Sequence, residues 1–275
     1  MRHVTNWLTG ARQIFSASGL RPMTLKTNPE IIRSGSSFIL HDAALLAEPD
    51  DCVFSTGWLQ QHAIIESTTS GRGESWFVSY GNESGQNLQW VLRHYRRGGM
   101  VAKFNRDLYA GWCAEQTRSW KEWRLLHYMH TLGLPVPRPV AARAHWPFGK
   151  ITGLYRADIL LEKIPQSSTL GKLLQQQSLP PDLWRNIGKC LKLFHAHHIY
   201  HADLNASNIL IDLHQRIYLI DFDRCRITGS NQLKAGNLQR LQRSLHKLQN
   251  LNSEFNFTEQ DWQMLLHGYA DSTSA

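Results

Sequence analysis

The chain has 275 residues, of which 42% are hydrophobic and 19% charged, a composition typical of a globular protein and not of a disordered one. No apolar run approaches the roughly 20 residues that a membrane-spanning helix needs, and the four cysteines show neither paired nor metal-site spacing, which favours a reducing compartment. The net charge of +8 predicts an anionic partner. An anionic membrane or a phosphorylated substrate would serve; nucleic acid is not expected, because no recognised reader motif accompanies the charge.

The N-terminal segment, residues 1–36, is basic and differs from the rest of the chain. Its cations include Arg2, Arg12 and Lys26, and no acidic residue precedes Glu30. We expect an extension with little ordered structure. A basic arm that lies on an anionic membrane is the alternative.

A glycine pair opens the first region with an informative pattern. Gly71 and Gly73 precede an apolar run in the glycine-rich pattern Gly-x-Gly-x-x-Gly-x-Val, except that Trp76 replaces the third glycine. Because glycines let backbone N–H groups approach phosphate oxygens, we expect both to contact a nucleotide; an ordinary turn is the alternative. Residues 81–85 then predict a hairpin loop, followed by a strand over Leu88–Tyr95.

A basic residue, Arg93, lies on this strand. In the strand that follows such a glycine-rich loop, a lysine usually binds the phosphates at this position. The helix predicted over Ser119–Leu132 offers Glu122 as an ion-pair partner. Each residue also has a simpler interpretation, because Arg93 could belong to a solvated face and Ser119 with Glu122 forms a capping-box pattern. We expect Arg93 to bind nucleotide phosphates and Glu122 to hold it.

Two further elements follow in chain order. A buried strand is predicted over Tyr155–Leu161, and Glu162 begins a hinge whose backbone we expect to meet a purine base. The residues from Pro181 to His198 predict an amphipathic helix, since apolar side chains recur along one face. This helix leads into the most informative segment of the chain.

That segment, His201-Ala-Asp203-Leu-Asn-Ala-Ser-Asn208, precedes an Asp221-Phe222 pair. Phosphoryl transfer needs one carboxylate to accept the proton of the attacking hydroxyl, and an amide oxygen and a second carboxylate to hold Mg²⁺ against the phosphates. We assign these roles to Asp203, Asn208 and Asp221 respectively. A capped turn and a strand-end cap are the purely structural alternatives.

The chain between the two metal ligands predicts a hairpin. Two apolar runs, Ile209–Ile211 and Ile217–Ile220, flank a polar turn at residues 212–216. An antiparallel pairing of these runs would bring Asn208 and Asp221 to the same end of the hairpin.

The order of these parts, from Gly71 to about Asp223, resembles the protein-kinase-like fold. The resemblance implies an α+β, bilobal protein, with a mainly antiparallel N-lobe at residues 37–163 and a reduced helical C-lobe at residues 164–275. Two further residues depart from the protein-kinase pattern: Ala202 replaces an arginine, and Asp223 replaces a glycine. Only residues 223–275 follow Phe222, too few for a full peptide-binding lobe, so a small or lipid-linked acceptor is expected.

More closely, the chain is similar to the bacterial lipopolysaccharide core kinases, and most to the 3-deoxy-D-manno-octulosonic acid (Kdo) kinases. The resembling segments are Arg96-Arg-Gly-Gly99, Leu134-Pro-Val-Pro-Arg-Pro139, Asp203 to Asn208, Asp221-Phe-Asp-Arg224 and Asn237 to Leu245. This resemblance implies Mg²⁺ and ATP as cofactors and phosphorylation of the 4-hydroxyl of Kdo on a Kdo–lipid A precursor. It also implies a peripheral position on the cytoplasmic face of the bacterial inner membrane, with no protein partner inferred. A core heptose kinase and a pseudokinase scaffold are the alternatives.

Basic residues outside these motifs are candidates for contact with the acceptor. Arg96 and Arg97 precede a Gly-Gly pair that could fold over an anion, and Arg240, Arg243 and Lys247 recur on one face of a helix. They would meet acceptor phosphates or the anionic membrane surface. A solvated basic face is the alternative.

Overall fold

The structure, a computed structural model, describes residues 28–62, 64–69, 75–81, 87–96 and 107–271. The strands are β1 (Pro29–Ser34), β2 (Ser37–Asp42), β3 (Ile64–Thr69), β4 (Ser75–Gly81), β5 (Asn87–His94), β6 (Tyr109–Ala110), β7 (Pro139–His145), β8 (Leu154–Glu162), β9 (Ser167–Thr169), β10 (Ile199–Tyr200), β11 (Ile209–Asp212), β12 (Ile217–Leu219) and β13 (Arg226–Ile227). The helices are α1 (Thr56–His62), α2 (Arg118–Thr131), α3 (Leu170–Gln176), α4 (Pro181–Ala196), α5 (Asn231–Leu251) and α6 (Glu259–Ala270).

An antiparallel sheet forms the N-terminal half, in the order β1-β2-β7-β8-β5-β4-β3, with β6 paired to β8. Its central strands β7 and β8 are buried along almost their whole length, as expected for strands covered on both faces. Helix α2 packs on one face through a stripe of large side chains, Trp120, Trp123, Leu126 and Met129, all buried. This packing holds α2 against β7 and β8, and Glu122 of α2 reaches Arg93 on β5, where the site forms.

The C-terminal half is mostly helical. Helices α4 and α6 pack closely because each contributes a glycine, and a Cβ at Gly188 or Gly268 would collide with the backbone of the other helix. A small sheet, β12-β11-β9, packs against α3 and α4. Among the residues that the structure describes, no helix is both long and apolar enough to span a bilayer.

The predicted α+β class is confirmed, and the predicted elements of the core are present with ends shifted by one or two residues. The predicted hairpin exists as β11 and β12, which pair with Ile209 opposite Leu219. One boundary is wrong, because Pro29–Ser34 is not part of an unstructured extension but pairs with β2 along its whole length. Most side chains of β1 are exposed, so backbone pairing rather than an apolar face holds this edge strand in place.

Candidate active site

A cavity of about 1330 Å³ lies between the large sheet and the helical half. It is lined by apolar side chains of both halves and by most of the residues predicted to carry chemistry. Those predicted residues are Arg93, Arg96, Glu162, Asp203, Asn208, Asp221 and Arg240. Gly71, Gly73 and Arg97 lie outside the described residues.

Arg93 projects from β5 and joins two carboxylates. Its Nη2 atom is 2.5 Å from both carboxylate oxygens of Glu122 on α2, and its Nη1 atom is 2.5 Å from Oδ1 of Asp221. The Tyr95 hydroxyl also donates to Glu122. The predicted ion pair between Arg93 and Glu122 is therefore present, and the interpretation of Arg93 as a solvated residue is wrong.

Glu122 is almost fully buried, with 1% of its side chain exposed. Burial raises the pKa of this carboxyl, while the adjacent Arg93 opposes the rise. The capping-box interpretation is wrong, since α2 begins at Arg118 and the Ser119 hydroxyl donates to the carbonyl of Arg143. Glu122 thus stabilises a contact between α2 and β5 and does not cap its own helix.

The two predicted metal ligands meet at one end of the β11–β12 hairpin. The Ile220 N–H donates to the Asn208 carbonyl at 3.1 Å, which closes the hairpin beside Asp221. The Asn208 side-chain nitrogen donates to the carbonyl of Asp203 at 2.8 Å, so its side-chain oxygen is the atom left to meet a cation. Asp221 has a φ of 64°, a left-handed conformation that Asp tolerates better than most residues. An amide oxygen and a carboxylate are hard donors that fit Mg²⁺.

Asp203 lies on the loop between β10 and β11, with 61% of its side chain exposed. Its backbone is held by Asn208 and by His201, whose Nδ1 accepts from the Asp203 N–H at 3.3 Å. The other His201 nitrogen donates to the Ile220 carbonyl at 2.9 Å. Burial lowers the pKa of His201, which keeps this imidazole neutral and suits one donor and one acceptor nitrogen. The loop is therefore tied to the hairpin that carries Asp221.

Asn237 on α5 is a residue of this site whose role sequence reasoning missed. Its side chain accepts from the His201 N–H at 3.1 Å and donates to the His201 carbonyl at 2.6 Å. The same Asn237 oxygen accepts from His195, which in turn accepts from the Tyr269 hydroxyl at 2.7 Å. The available signal was positional, because Asn237 falls in the buried stripe of α5 with Leu241 and Leu245.

Arg118 and Asp223 form a second contact that the sequence did not predict. The Arg118 Nε atom is 3.0 Å from Asp223 Oδ1, and the pairing is bidentate. The guanidinium also lies over the rings of Tyr95 and Tyr109, at 5.5 and 4.9 Å from their centroids. Asp223, which departs from the protein-kinase pattern, thus links the segment after β12 to the start of α2.

The hinge and the basic helix are only partly arranged as predicted. Glu162 lines the cavity, but its N–H donates to the Arg138 carbonyl at 2.9 Å within the sheet, so this amide is not available to a purine. Arg240 lies in the cavity wall, with Nη1 at 3.3 Å from Asp203 Oδ1. Arg243, one turn further along α5, is exposed and is not among the described residues that line the cavity.

The fold and the grouping of these side chains in one interlobe cavity define a protein-kinase-like enzyme. Residues 55–269 match the model of the lipopolysaccharide kinase (Kdo/WaaP) family. The chain belongs to this family and is a kinase.

Curated relatives cover most of this chain and most of their own length. A protein of Vibrio cholerae serotype O1 is 41% identical over 208 residues, 75% of this chain and 83% of the relative. One of Photobacterium profundum is 42% identical over 234 residues, 84% of this chain and 94% of the relative. One of Haemophilus influenzae is 43% identical over 216 residues, 77% and 87% of the two chains. All three relatives are named 3-deoxy-D-manno-octulosonic acid kinase.

Proposed function

We propose that the protein transfers the γ-phosphoryl group of ATP to the 4-hydroxyl of Kdo on a Kdo–lipid A precursor. The observation that carries the proposal is the meeting of Arg93, Asp203, Asn208 and Asp221 in one cavity. Family membership and the names of the relatives supply the sugar. The hydroxyl position and the lipid-linked form of the acceptor follow from the resemblance to the core kinases.

Asp203 is the proposed general base. As the acceptor oxygen bonds to the γ-phosphorus, the Asp203 carboxylate takes the hydroxyl proton, the bond from the γ-phosphorus to the bridging oxygen breaks, and ADP leaves. The exposure of Asp203 to the cavity and its backbone bonds to Asn208 and His201 support this role, since they hold the carboxylate where an acceptor can approach. Arg240 lies beside it and would orient an anionic acceptor.

Arg93, Asn208 and Asp221 are the proposed phosphate and metal ligands. Mg²⁺, when bound, would neutralise part of the charge of the phosphates. The Asn208 side-chain oxygen and the Asp221 carboxylate are the groups that would hold it. Arg93 is proposed to contact phosphate oxygens while Glu122 fixes its guanidinium.

The base of the nucleotide is proposed to lie against the hinge. Val91, Leu161, Leu210 and Ile220 supply apolar cavity wall from both halves of the molecule. Because the Glu162 N–H is engaged in the sheet, the Ile164 amide is the hinge donor that we propose for the purine.

Peripheral attachment to an anionic membrane surface is proposed because the acceptor is lipid-linked. Trp112, Phe148 and Ile151, here termed the apolar patch, are 64%, 61% and 93% exposed. They come from two neighbouring segments, since Gly153 lies against the Trp112 ring and the Gly111 N–H donates to the Gly153 carbonyl at 2.7 Å. Exposed aromatic side chains beside a cation, Lys150, suit the interface of an anionic bilayer.

Two alternatives make different predictions. A pseudokinase scaffold is suggested by the departures Arg93, Trp76 and Asp223. It is disfavoured because the proposed base and both proposed metal ligands line one cavity. A core heptose kinase would share the geometry and differ in its acceptor.

The decisive experiment incubates the protein with Mg-ATP and either Kdo–lipid A or a heptose-containing core acceptor. Mass spectrometry and NMR then locate the new phosphate. Phosphate on the Kdo 4-hydroxyl supports the proposal, phosphate on heptose supports the alternative, and no transfer to either acceptor refutes both.

A further inference from the structure

A second cavity, of about 590 Å³, adjoins the candidate active site. Its lining shares Arg96, Arg118, Asp223 and Arg224 with the larger cavity, so the two cavities are immediate neighbours. Its lining also includes Gln116, just before α2, and Lys121, in the first turn of α2. We call it the basic cavity.

Charge in the basic cavity favours an anion. Among the described residues, the lining contains two carboxylates, Glu122 and Asp223, and both are already engaged by arginines, Arg93 and Arg118 respectively. Lys121 and Arg224 therefore add positive charge that these carboxylates do not balance.

The start of α2 strengthens this field. The first turn of the helix holds Arg118 and Lys121 and no acidic residue. The hydroxyl of the N-cap residue Thr117 does not accept from an N–H group of the helix but donates to the Ala114 carbonyl at 2.6 Å. Because Asp223 already pairs with Arg118, Lys121 is the cation that adds to the positive end of the helix dipole, and together they favour an anion.

We propose that the basic cavity binds an anionic group of the acceptor, a carboxylate or a phosphate, beside the transfer site. The proposal rests on the proposed function and adds the determinant of acceptor recognition. The volume lies within the roughly 300–1,000 Å³ of small-molecule sites and has room for a sugar-sized group. An acceptor hydroxyl at Asp203 and an acceptor anion beside Arg224 would occupy the two neighbouring cavities together.

The position of the apolar patch agrees with a lipid-linked acceptor. Tyr109 lines the basic cavity and Trp112 of the patch follows it by three residues. Three residues span at most about 11 Å, so the Cα atoms of Tyr109 and Trp112 are no further apart. A lipid could therefore place its charged headgroup in the cavity while its acyl chains stay in a membrane at the patch.

The test replaces the two exposed cations by Lys121→Gln and Arg224→Gln, singly and together. Lys189→Gln, on α4 and paired at 4.0 Å with Asp271, is the matched control for loss of one surface charge. We expect each cavity variant to raise the KM for Kdo–lipid A about tenfold, as loss of one charged hydrogen bond does. The kcat and the KM for ATP should change less than about twofold, since uniform acceptor binding is what is lost. An unchanged acceptor KM in the double variant, or one no higher than in Lys189→Gln, would overturn the proposal.

Two modified acceptors identify the anion. If the Kdo carboxylate occupies the cavity, its methyl ester should bind wild type and the double variant equally. If a lipid phosphate occupies the cavity, the dephosphorylated lipid should bind wild type and the double variant equally. A difference between wild type and the double variant that persists with an acceptor lacking both anionic groups would contradict the proposal.

Direct binding separates this inference from the proposed function. The Asp203→Asn protein should bind Kdo–lipid A without turnover, and adding Lys121→Gln and Arg224→Gln should weaken that binding about a hundredfold. If the two substitutions weaken binding but the wild-type protein transfers no phosphate, the proposed reaction is refuted and the anion site stands. If the wild-type protein transfers phosphate but the two substitutions do not change binding, the anion site is refuted and the proposed reaction stands.

Discussion

Replacing Arg93 by Met tests how the site is built, because this arginine joins a buried carboxylate to an exposed one. The Arg93 side chain is 18% exposed, and Glu122 is 1% exposed. Removing the arginine leaves the Glu122 charge buried, with the Tyr95 hydroxyl as its remaining side-chain donor among the residues that the structure describes. Breaking such a buried pair from one side costs about 3–5 kcal/mol of unfolding free energy.

The double variant Arg93→Met/Glu122→Gln separates charge from packing. The uncharged amide that Glu122→Gln introduces keeps an oxygen that can accept from Tyr95 but no longer needs a cation. We expect the double variant to recover about 2 kcal/mol relative to Arg93→Met, a coupling typical of residues in one ion-pair network. Affinity for Mg-ATP should remain low in both variants, since neither restores a cation for the phosphates.

Urea unfolding and calorimetric titration of Mg-ATP measure the two effects separately. Arg124→Met is the matched control, because Arg124 pairs with Glu115 on the surface of α2 with both side chains about half exposed. An exposed pair contributes about 0–1 kcal/mol. If Arg93→Met costs no more than Arg124→Met, or if Glu122→Gln gives no recovery, the reasoning from a buried charged pair is wrong.

Three further predictions address the base, the loop and the membrane. Asp203→Asn should lower kcat about 10²–10⁴-fold and preserve Mg-ATP affinity, whereas Asp221→Asn should damage both in the same titration and turnover assays. The unfolding free energy should fall as the pH is lowered from 7.5 to 5.5, because unfolded histidines bind protons near pH 6.5 while burial lowers the pKa of His201 in the folded state. Urea unfolding at several pH values should show a shallower decline for His201→Gln. Binding to anionic vesicles in sedimentation should weaken several-fold in Trp112→Ser/Phe148→Ser, and also as salt shortens the roughly 10 Å screening length at 0.1 M.

Each of these predictions has an outcome that contradicts it. Near-wild-type turnover of Asp203→Asn would remove Asp203 from the role of base. The sign of the pH effect is fixed, because a group whose pKa is lower in the folded state makes the unfolded state bind more protons. An unfolding free energy that rises as the pH is lowered to 5.5, and that changes in the same way in His201→Gln, would refute this prediction. Vesicle binding that is the same at low salt and at 1 M would exclude an electrostatic contribution.

The sequence predicted best where the parts of the site lie close together along the chain. Asp203, Asn208 and Asp221 belong to one loop and one hairpin, so their spacing alone places them at one end of that hairpin. The Arg93–Glu122 pair could also be proposed, since a strand and the next helix of a known arrangement supply the two charges.

Contacts between distant segments could not be predicted in the same way. The Asn237 bonds to His201 join α5 to a loop 36 residues earlier, and the Arg118–Asp223 pair spans 105 residues. The position of Asn237 in the stripe with Leu241 and Leu245 indicates burial, but the local sequence does not identify the partner of Asn237, Arg118 or Asp223 until the helices are docked. The strand over Pro29–Ser34 was missed for a related reason, because an exposed edge strand carries no alternating apolar signal.

The two partners of Arg93 differ in a way that suggests how the site accommodates a nucleotide. Glu122 has 1% of its side chain exposed and Asp221 has 41%, although both lie 2.5 Å from the same guanidinium. Glu122 can therefore hold Arg93 permanently, whereas Asp221 is free to exchange this contact for a cation from the cavity. The planar fork of arginine serves both carboxylates at once, and a lysine ammonium offers only a point charge. Arg93→Lys should then keep most of the stability through Glu122 but lose Mg-ATP affinity, and equal losses of both would show that the two contacts act as one.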